Sequence, residues 1–284
     1  MIRRPLFEFK AGSFRIPLGR QTKLMGILNV TPDSFSDGGR YLGPAAAEKK
    51  ALEMQAGGAD FLDIGGESSR PGARGVSARE EIRRVLPVLE RLSKKIKIPV
   101  SIDTVKYDVA LAALDHGAAL VNDISALSDP RMGKLIARYG ASVVLMHMRG
   151  RPATMQKKPS YRSVVKDVRH FLKKSVQKAL EAGIPRACVM VDPGFGFGKS
   201  TQHNLELLGR LDELVSLRQP VLVGLSRKSF LGQVSGAPVA ERLAPSLAAA
   251  SAAIAGGAHV LRVHDVAAHR QLALLVDRTR SLKK

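Results

Sequence analysis

Eight apolar runs, several of them rich in β-branched residues, alternate along this chain with eight stretches of helical spacing. No other feature constrains the fold as much. The apolar runs are Leu24–Val30, Phe61–Ile64, Pro99–Ile102, Leu120–Ile124, Ser142–Met148, Ala187–Val191, Pro220–Leu225 and Val260–Val263. The helical stretches are Ala45–Ala56, Ala78–Lys95, Val105–His116, Met132–Tyr139, Val164–Ala182, Asn204–Leu214, Val239–Ala255 and Ala267–Arg280. Gly57–Gly58, Gly117, Gly140, Gly183 and Gly256–Gly257 fall just past helical stretches, where a helix C-cap favours glycine. Continuous apolar strands imply a sheet buried on both faces, hence a parallel one. Strict alternation implies an α/β fold, and eight units favour a closed (β/α)8 TIM barrel, with an open doubly wound sheet as the alternative. Phe7–Leu18 alternates around Gly12 and predicts an N-terminal β-hairpin, so residues 1–20 read as an extension of a single domain over 1–284.

In such a barrel the functional site lies where the strands end. Each ending here is polar: Asn29; Asp63 and Glu67 leading into Ser68-Ser69-Arg70-Pro71; Asp103; Asn122–Asp123; Met146-His147-Met148; Asp192; Ser226-Arg227-Lys228-Ser229; and Arg262-Val263-His264-Asp265. A polar group buried without a partner costs free energy, so eight such endings point to one shared pocket. Arg262 and His264 are two apart and share a face of their strand. An arginine there suits an anion or a stacked flat ring, and Lys228 adds a second cation. Asp103 and Asp192 are acceptors suited to a bidentate, amidine-like ring edge. Asn29 and Asn122 offer amide oxygens, hard ligands of the kind Mg²⁺ takes. Read alone, each Asp could simply cap the following helix, and His147 reads as a hydrogen-bonded core residue ahead of a metal ligand.

The stretch Asp192-Pro-Gly-Phe-Gly-Phe-Gly-Lys-Ser200 resembles a phosphate-binding loop. A Walker A match needs glycine at position 193, where Pro193 stands, and a dinucleotide fingerprint needs one at 199, where Lys199 stands. What remains is a flexible loop carrying two aromatic rings above the barrel mouth, a lid or a ring-stacking wall.

The formal net charge of +20 raises the question of polyanionic partners. Aromatic residues make up only 5% and tryptophan is absent, so platforms for stacking bases are scarce and nucleic acid is disfavoured. Cys188 is the single cysteine, which excludes an intrachain disulfide, and its apolar run makes it a core residue. The basic N-terminus lacks an apolar core of the signal-peptide kind, and Leu247–Leu261 is too short and mixed to span a bilayer. The cytoplasm is the expected compartment.

At the strand ends the sequence resembles the dihydropteroate synthases over nearly its full length. The matching segments are MGILNVTPDSFSDGG, DIGGESSRPGA, SIDTVK, VNDIS, VVLMHMRG, DPGFGFGKS, VLVGLSRKSFLG with ERLAPSLA, and LRVHD, in this order. The resemblance implies a (β/α)8 barrel and a sulfonamide-targeted transferase of folate biosynthesis. It would join 4-aminobenzoate to 7,8-dihydropterin pyrophosphate. By similarity, Asp103, Asn122, Met146, Asp192 and Lys228 line a pterin pocket with Arg262 stacked on the ring. Ser69, Arg262 and His264 hold the pyrophosphate, with Mg²⁺ near Asn29. Pro71, Phe197, Lys228 and Ser229 flank the 4-aminobenzoate, with its carboxylate near the helix that Ser229 opens, and Arg70 belongs to the same substrate-contacting set. Asp33 joins Lys228, Arg262 and His264 as a catalytic residue, carried with Thr31–Gly39 on a mobile lid. The resemblance also suggests a homodimer, for which the Ala-rich stretch Ser246–Ala255 is the candidate contact. Two departures stand out: Ser69 replaces the family's usual threonine, and Tyr107 stands where a proline is frequent.

Overall fold

The computed structural model describes residues 2–31, 43–68, 75–150, 154–156 and 159–282. Two strands, β1 (Phe7–Ala11) and β2 (Phe14–Leu18), form the antiparallel hairpin expected around Gly12, where φ is +56°. Eight parallel strands follow: β3 (Lys23–Asn29), β4 (Phe61–Gly65), β5 (Val100–Asp103), β6 (Leu120–Asp123), β7 (Ser142–Met146), β8 (Val189–Asp192), β9 (Leu222–Val223) and β10 (Val260–Val263). They pair in the order β8-β7-β6-β5-β4-β3-β10-β9. The last seam is closed by a parallel bridge between Val191 and Val221, with the Val191 N–H donating to the Pro220 carbonyl at 3.0 Å. The barrel reading holds and the open-sheet alternative falls.

Among the described residues nine α-helices wrap the barrel: α1 (Pro44–Ala56), α2 (Ala78–Leu92), α3 (Tyr107–Asp115), α4 (Pro130–Arg138), α5 (Val164–Glu181), α6 (Thr201–Gly209), α7 (Ser229–Ser235), α8 (Leu243–Ala255) and α9 (Val266–Ser281). Local chemistry starts several of them. Ser77 caps α2 by accepting from the Glu80 N–H, Asp129 caps α4 from the Arg131 N–H, and Ser200 caps α6 from the His203 N–H. The extra helix, α7, occupies what reads in sequence as the approach to α8. The expected helix Asn204–Leu214 ends at Gly209 and continues as a 3-10 segment, Leu211–Leu217. Strand β9 is shorter than its apolar run because Pro220 has no N–H and the chain already turns at Leu225, whose carbonyl accepts from the Lys228 N–H. Strand β8 starts late because Arg186–Cys188 forms a 3-10 turn; Cys188 is buried, as expected.

The amino-terminal end of the barrel is plugged. Phe9, Ala11, Ile16 and Leu18 of the hairpin pack against Met25, Phe61, Leu120, Val144, Met190, Leu222 and Val260, the inward residues near the strand starts. The Phe9 and Phe61 rings meet edge to face at 6.2 Å. A second, larger cluster fills the layer between strands and helices.

Candidate active site at the carboxyl end of the barrel

A small cavity at the strand ends is lined by Asp103, Asn122, Ile124, Met146, Asp192, Gly194, Phe195, Phe197, Gly224, Lys228 and Arg262. Six of the expected substrate-binding residues therefore meet in one place, Asp103 from β5, Asn122 from β6, Met146 from β7, Asp192 from β8, Phe197 from the loop after it and Arg262 from β10. Lys228, at the start of α7, is the seventh.

Arg262 organises the deep end. Its Nε donates to Asp63 Oδ2 at 2.6 Å and its Nη2 to Asp103 Oδ2 at 2.7 Å. Asn122 Nδ2 donates to the same Asp63 oxygen at 2.9 Å. The guanidinium is thus held between two carboxylates, which with its burial opposing them keep it firmly charged. Burial pushes the Asp103 carboxyl up, to about 7, against the pull of Arg262, and Asp63 adds to the rise. Two buried acceptors are left over, Asp63 Oδ1 and Asn122 Oδ1, neither with a hydrogen-bond partner among the described residues. Unsatisfied buried acceptors in a cavity are what a ligand with N–H donors would satisfy.

The opposite wall comes from the glycine-rich loop. Asp192 Oδ1 accepts from the Gly194 N–H at 2.7 Å, and burial pushes its carboxyl up. Lys199 turns inward and is almost wholly buried. Its Nζ donates to the Gly194 carbonyl at 2.8 Å, the Phe197 carbonyl at 3.1 Å and His147 Nδ1 at 2.9 Å. Burial drives Lys199 down to about 7, and burial first, then Lys199, drives His147 down to about 2, so the imidazole is neutral and accepts. Asn204 Oδ1 accepts from the Gly196 N–H at 2.8 Å, and the Tyr161 hydroxyl donates to the Gly198 carbonyl at 2.8 Å. Gly194 and Gly198 take φ of +68° and +62°, and a Cβ on either would collide with the carbonyl oxygen of His147 or Arg149. Of the two readings of this stretch, lid or wall, the structure has the wall, and the loop expected to be flexible is pinned by these bonds. Its Phe195 is buried against Phe230, and its Phe197 faces the cavity beside Met146 and Met155.

Lys228 stands between the two walls. Its Nζ lies 4.2 Å from the centre of the Phe197 ring and donates to no protein acceptor among the described residues. Burial pushes it down, to about 8, with Asp192 pulling it back up. The turn before it is fixed by Arg227, which holds φ at +60°, donates its N–H to Ser246 Oγ at 2.9 Å and pairs with Asp265 at 2.7 Å.

Other expectations divide. Asn29 ends β3, half-buried, next to the cavity but not lining it. His264 follows β10, with Nδ1 3.0 Å from Ser226 Oγ. Ser229 opens α7 and is exposed. Asp123 serves its own turn, accepting from the Ser125 and Leu127 N–H groups, and does not cap the following helix, whose cap is Asp129. His147 is a hydrogen-bonded buried residue, as expected. Asp33, Ser69, Arg70 and Pro71 lie outside the described residues, as does most of Thr31–Gly39. Missed in the sequence were Lys199 as the clamp of the loop, Asp63 as the counter-ion of Arg262, and Ile124 and Met155 as apolar wall. The first two carried a signal, a charged residue inside an otherwise apolar or glycine-rich stretch.

Among the described residues no group of three or more His, Cys, Asp or Glu could hold a metal ion. The donor at the expected place is one amide oxygen, on Asn29. That fits a Mg²⁺ ion carried mainly by substrate phosphates and water, rather than a protein-built cage.

The family of pterin binding enzymes matches residues 25–264. Dihydropteroate synthase of Escherichia coli strain K12 is 44% identical over 261 residues, covering 92% of this chain and 93% of that protein. The Yersinia pestis dihydropteroate synthase, solved with a sulfonamide drug, superposes with a TM-score of 0.92 at 41% identity, over 97% of this chain and 100% of that one. The Xanthomonas albilineans dihydropteroate synthase with 4-aminobenzoic acid gives a TM-score of 0.90 at 42% identity, over 98% and 99% of the two chains. The described fold, the polar strand ends and these matches agree: the chain belongs to the pterin binding enzyme family and, within it, to the dihydropteroate synthases.

Proposed function

We propose that this chain forms the C–N bond between the amine of 4-aminobenzoate and the methylene carbon of 7,8-dihydropterin pyrophosphate. The C–O bond to pyrophosphate breaks, and the amine proton leaves with it or to solvent. The observation that carries this reading is the meeting of Asp103, Asn122, Asp192, Lys228 and Arg262 around one cavity with Met146 and Phe197 as apolar wall. Two carboxylates and an amide suit the hydrogen-bonding edge of a pterin, and the unsatisfied oxygens of Asp63 and Asn122 add acceptors for its N–H groups. Arg262 would move from Asp103 onto the ring face as that edge takes its place.

The leaving group is a polyanion, and Arg262 with His264 and Ser69 would hold it as charge develops. Mg²⁺, when bound beside Asn29, would supply further charge neutralisation on the pyrophosphate. Lys228 would bind the polar side of the pterin or the 4-aminobenzoate carboxylate, since its ammonium has a ring beside it and no acceptor among the described residues. Phe197, Pro71 and Ser229 would flank the benzoate, and α7, only seven residues long, adds little dipole of its own. Asp33 and Arg70 would act from the loops beyond β3 and β4. The attacking amine is neutral and needs no strong base.

The same reading carries a sulfonamide-sensitive 4-aminobenzoate position, a cytoplasmic enzyme and a homodimer. The protein has no helix long and apolar enough to cross a membrane among its described residues. Exposed Val234, Val239 and Leu243, beside the Ala-rich α8, support the dimer, which sedimentation would test. The decisive experiment is turnover with dihydropterin pyrophosphate, 4-aminobenzoate and Mg²⁺: dihydropteroate and pyrophosphate should appear in equal amounts, and the absence of both would sink the reading.

A further inference from the structure

The charge of +20 is far more than the substrates above require, and part of it is concentrated. On the outer wall of the barrel a groove of about 990 Å³ runs between α5 and the 3-10 segment Leu211–Leu217. One wall is the exposed face of α5, with Lys166, Arg169, Lys173 and Lys174; the other carries Arg186 and Arg218. None of these six cations pairs with a carboxylate among the described residues. Many surface cations elsewhere do: Arg83 and Arg84 with Glu80, Arg91 with Glu48, Arg131 with Asp129, Arg210 with Glu206 and Glu213. The acids of α5, Asp167 and Glu181, sit in its first and last turns and line none of the groove.

This arrangement works against the helix. Lys166 and Arg169, and Arg169 and Lys173, are three and four apart, so like charges face each other across successive turns, each pair costing roughly 0.2–0.5 kcal/mol. A face meant only for solvation avoids that cost by mixing signs. Lys166, Arg169 and Lys173 recur about every 5.4 Å, one helical turn, along one side of the helix, with Lys174 beside the last and two further guanidinium groups lining the groove. A linear anion lying between the walls would meet positive charge on both sides at each step.

We propose that this groove binds an unsubstituted polyphosphate chain. Its lining holds no Phe, Tyr or Trp, and the one imidazole, His170, offers a single small ring, so successive bases would find no run of stacking platforms and a nucleic-acid strand would gain little beyond its backbone charge. The groove is concave, so a flat anionic membrane would not reach its floor. Its only aliphatic side chains are Val176 and Leu217, and the rest of its apolar surface is the stems of the cations, so it offers no defined pocket for the side chains of an acidic peptide. The site shares no residue with the cavity at the strand ends and stands apart from the proposed reaction.

The test is a titration of the whole protein with linear polyphosphate across a salt series, beside a deoxythymidine oligomer of equal charge. Polyphosphate should bind in a salt-dependent way and more tightly than the oligomer. The variant Lys166→Ala, Arg169→Ala, Lys173→Ala, Lys174→Ala keeps the helix, since alanine is the strongest helix former. It should lose at least about tenfold in affinity near 0.1 M salt, and the log–log salt slope should fall by about 3 for four lost contacts. A control with four scattered exposed cations removed, Lys94, Lys97, Lys134 and Arg20 to alanine, should bind within about twofold of the parent. Unchanged synthase turnover in both variants would show that they fold. Absence of polyphosphate binding, equal losses in the two variants, or tighter binding of the oligomer would each overturn the proposal.

Discussion

At the amino-terminal end of the strands, Phe9 and Leu18 of the hairpin press on Phe61, Met25 and Leu120 in an apolar plug, and the polar groups buried around it, such as Ser142 and His259, have found hydrogen-bond partners. At the carboxyl end of the same strands, two positions later on β10 and on β4, the inward groups are Arg262, Asp63, Asp103, Asn122, Asp192 and Lys228. The first end is stabilised by burial of hydrocarbon. The second holds five ionisable groups out of water, some of them with unmet hydrogen-bonding capacity. Side chains at the first end should matter for stability and not for chemistry. Those at the second should matter for chemistry, with effects on stability that depend on whether each group has found a partner.

The sharpest break in that comparison is Arg262→Ala. It leaves Asp63 and Asp103 buried without their counter-ion, so urea denaturation should show a loss of about 3–5 kcal/mol. Assays of the folded fraction should show a further loss of at least about 2 kcal/mol in kcat/KM. Near-parental values in either measurement would show that the arginine is misplaced here. Phe9→Ala should cost a similar 3–5 kcal/mol in stability by opening a cavity, with kcat/KM per folded molecule unchanged. A large loss of turnover there would mean that the plug shapes the site from below. Lys228→Ala should do the reverse, losing at least about 2 kcal/mol of transition-state stabilisation while urea stability holds or rises. Its ammonium is buried without an acceptor among the described residues, so its removal relieves a desolvation cost.

The smallest effect concerns Lys199. Its folded value, about 7, lies below the ordinary lysine value, so between those limits the unfolded chain binds the extra proton. Stability should therefore rise with pH from about 7 upward, by at most about 1.4 kcal/mol per pH unit. Lys199→Met should flatten that rise in denaturation curves taken at pH 7 and 8. An unchanged slope would mean that another group sets it.

Much of the second end was legible because a charged residue closing an apolar run is conspicuous. Asp103, Asn122, Asp192 and Arg262 announce themselves that way, and all reach one cavity. The first end was legible only as a hairpin. That Phe9 plugs the barrel depends on how the hairpin folds under it, which alternation does not encode. Asp63 was visible as a strand end, yet its partner Arg262 lies 199 residues on, and only the pairing of the last strand with β3 brings β4 and β10 within reach of each other. Lys199 was hidden for another reason. In a glycine-rich stretch a lysine suggests a phosphate ligand, and only the inward turn of the loop makes it a clamp on backbone carbonyls. The seven-residue α7 was too short to rise above its flanking turns.

The pinned loop after β8 also bears on how this enzyme can change under selection. Gly194 and Gly198 are closed to any side chain by the carbonyls of His147 and Arg149, and Lys199 has no substitute that reaches the same acceptors in the same space. An inhibitor that rests on Phe197 leans on a segment with few viable neighbours in sequence space. Escape through this wall is confined to the aromatic ring itself, where a lost contact with Lys228 would weaken the substrate along with the drug.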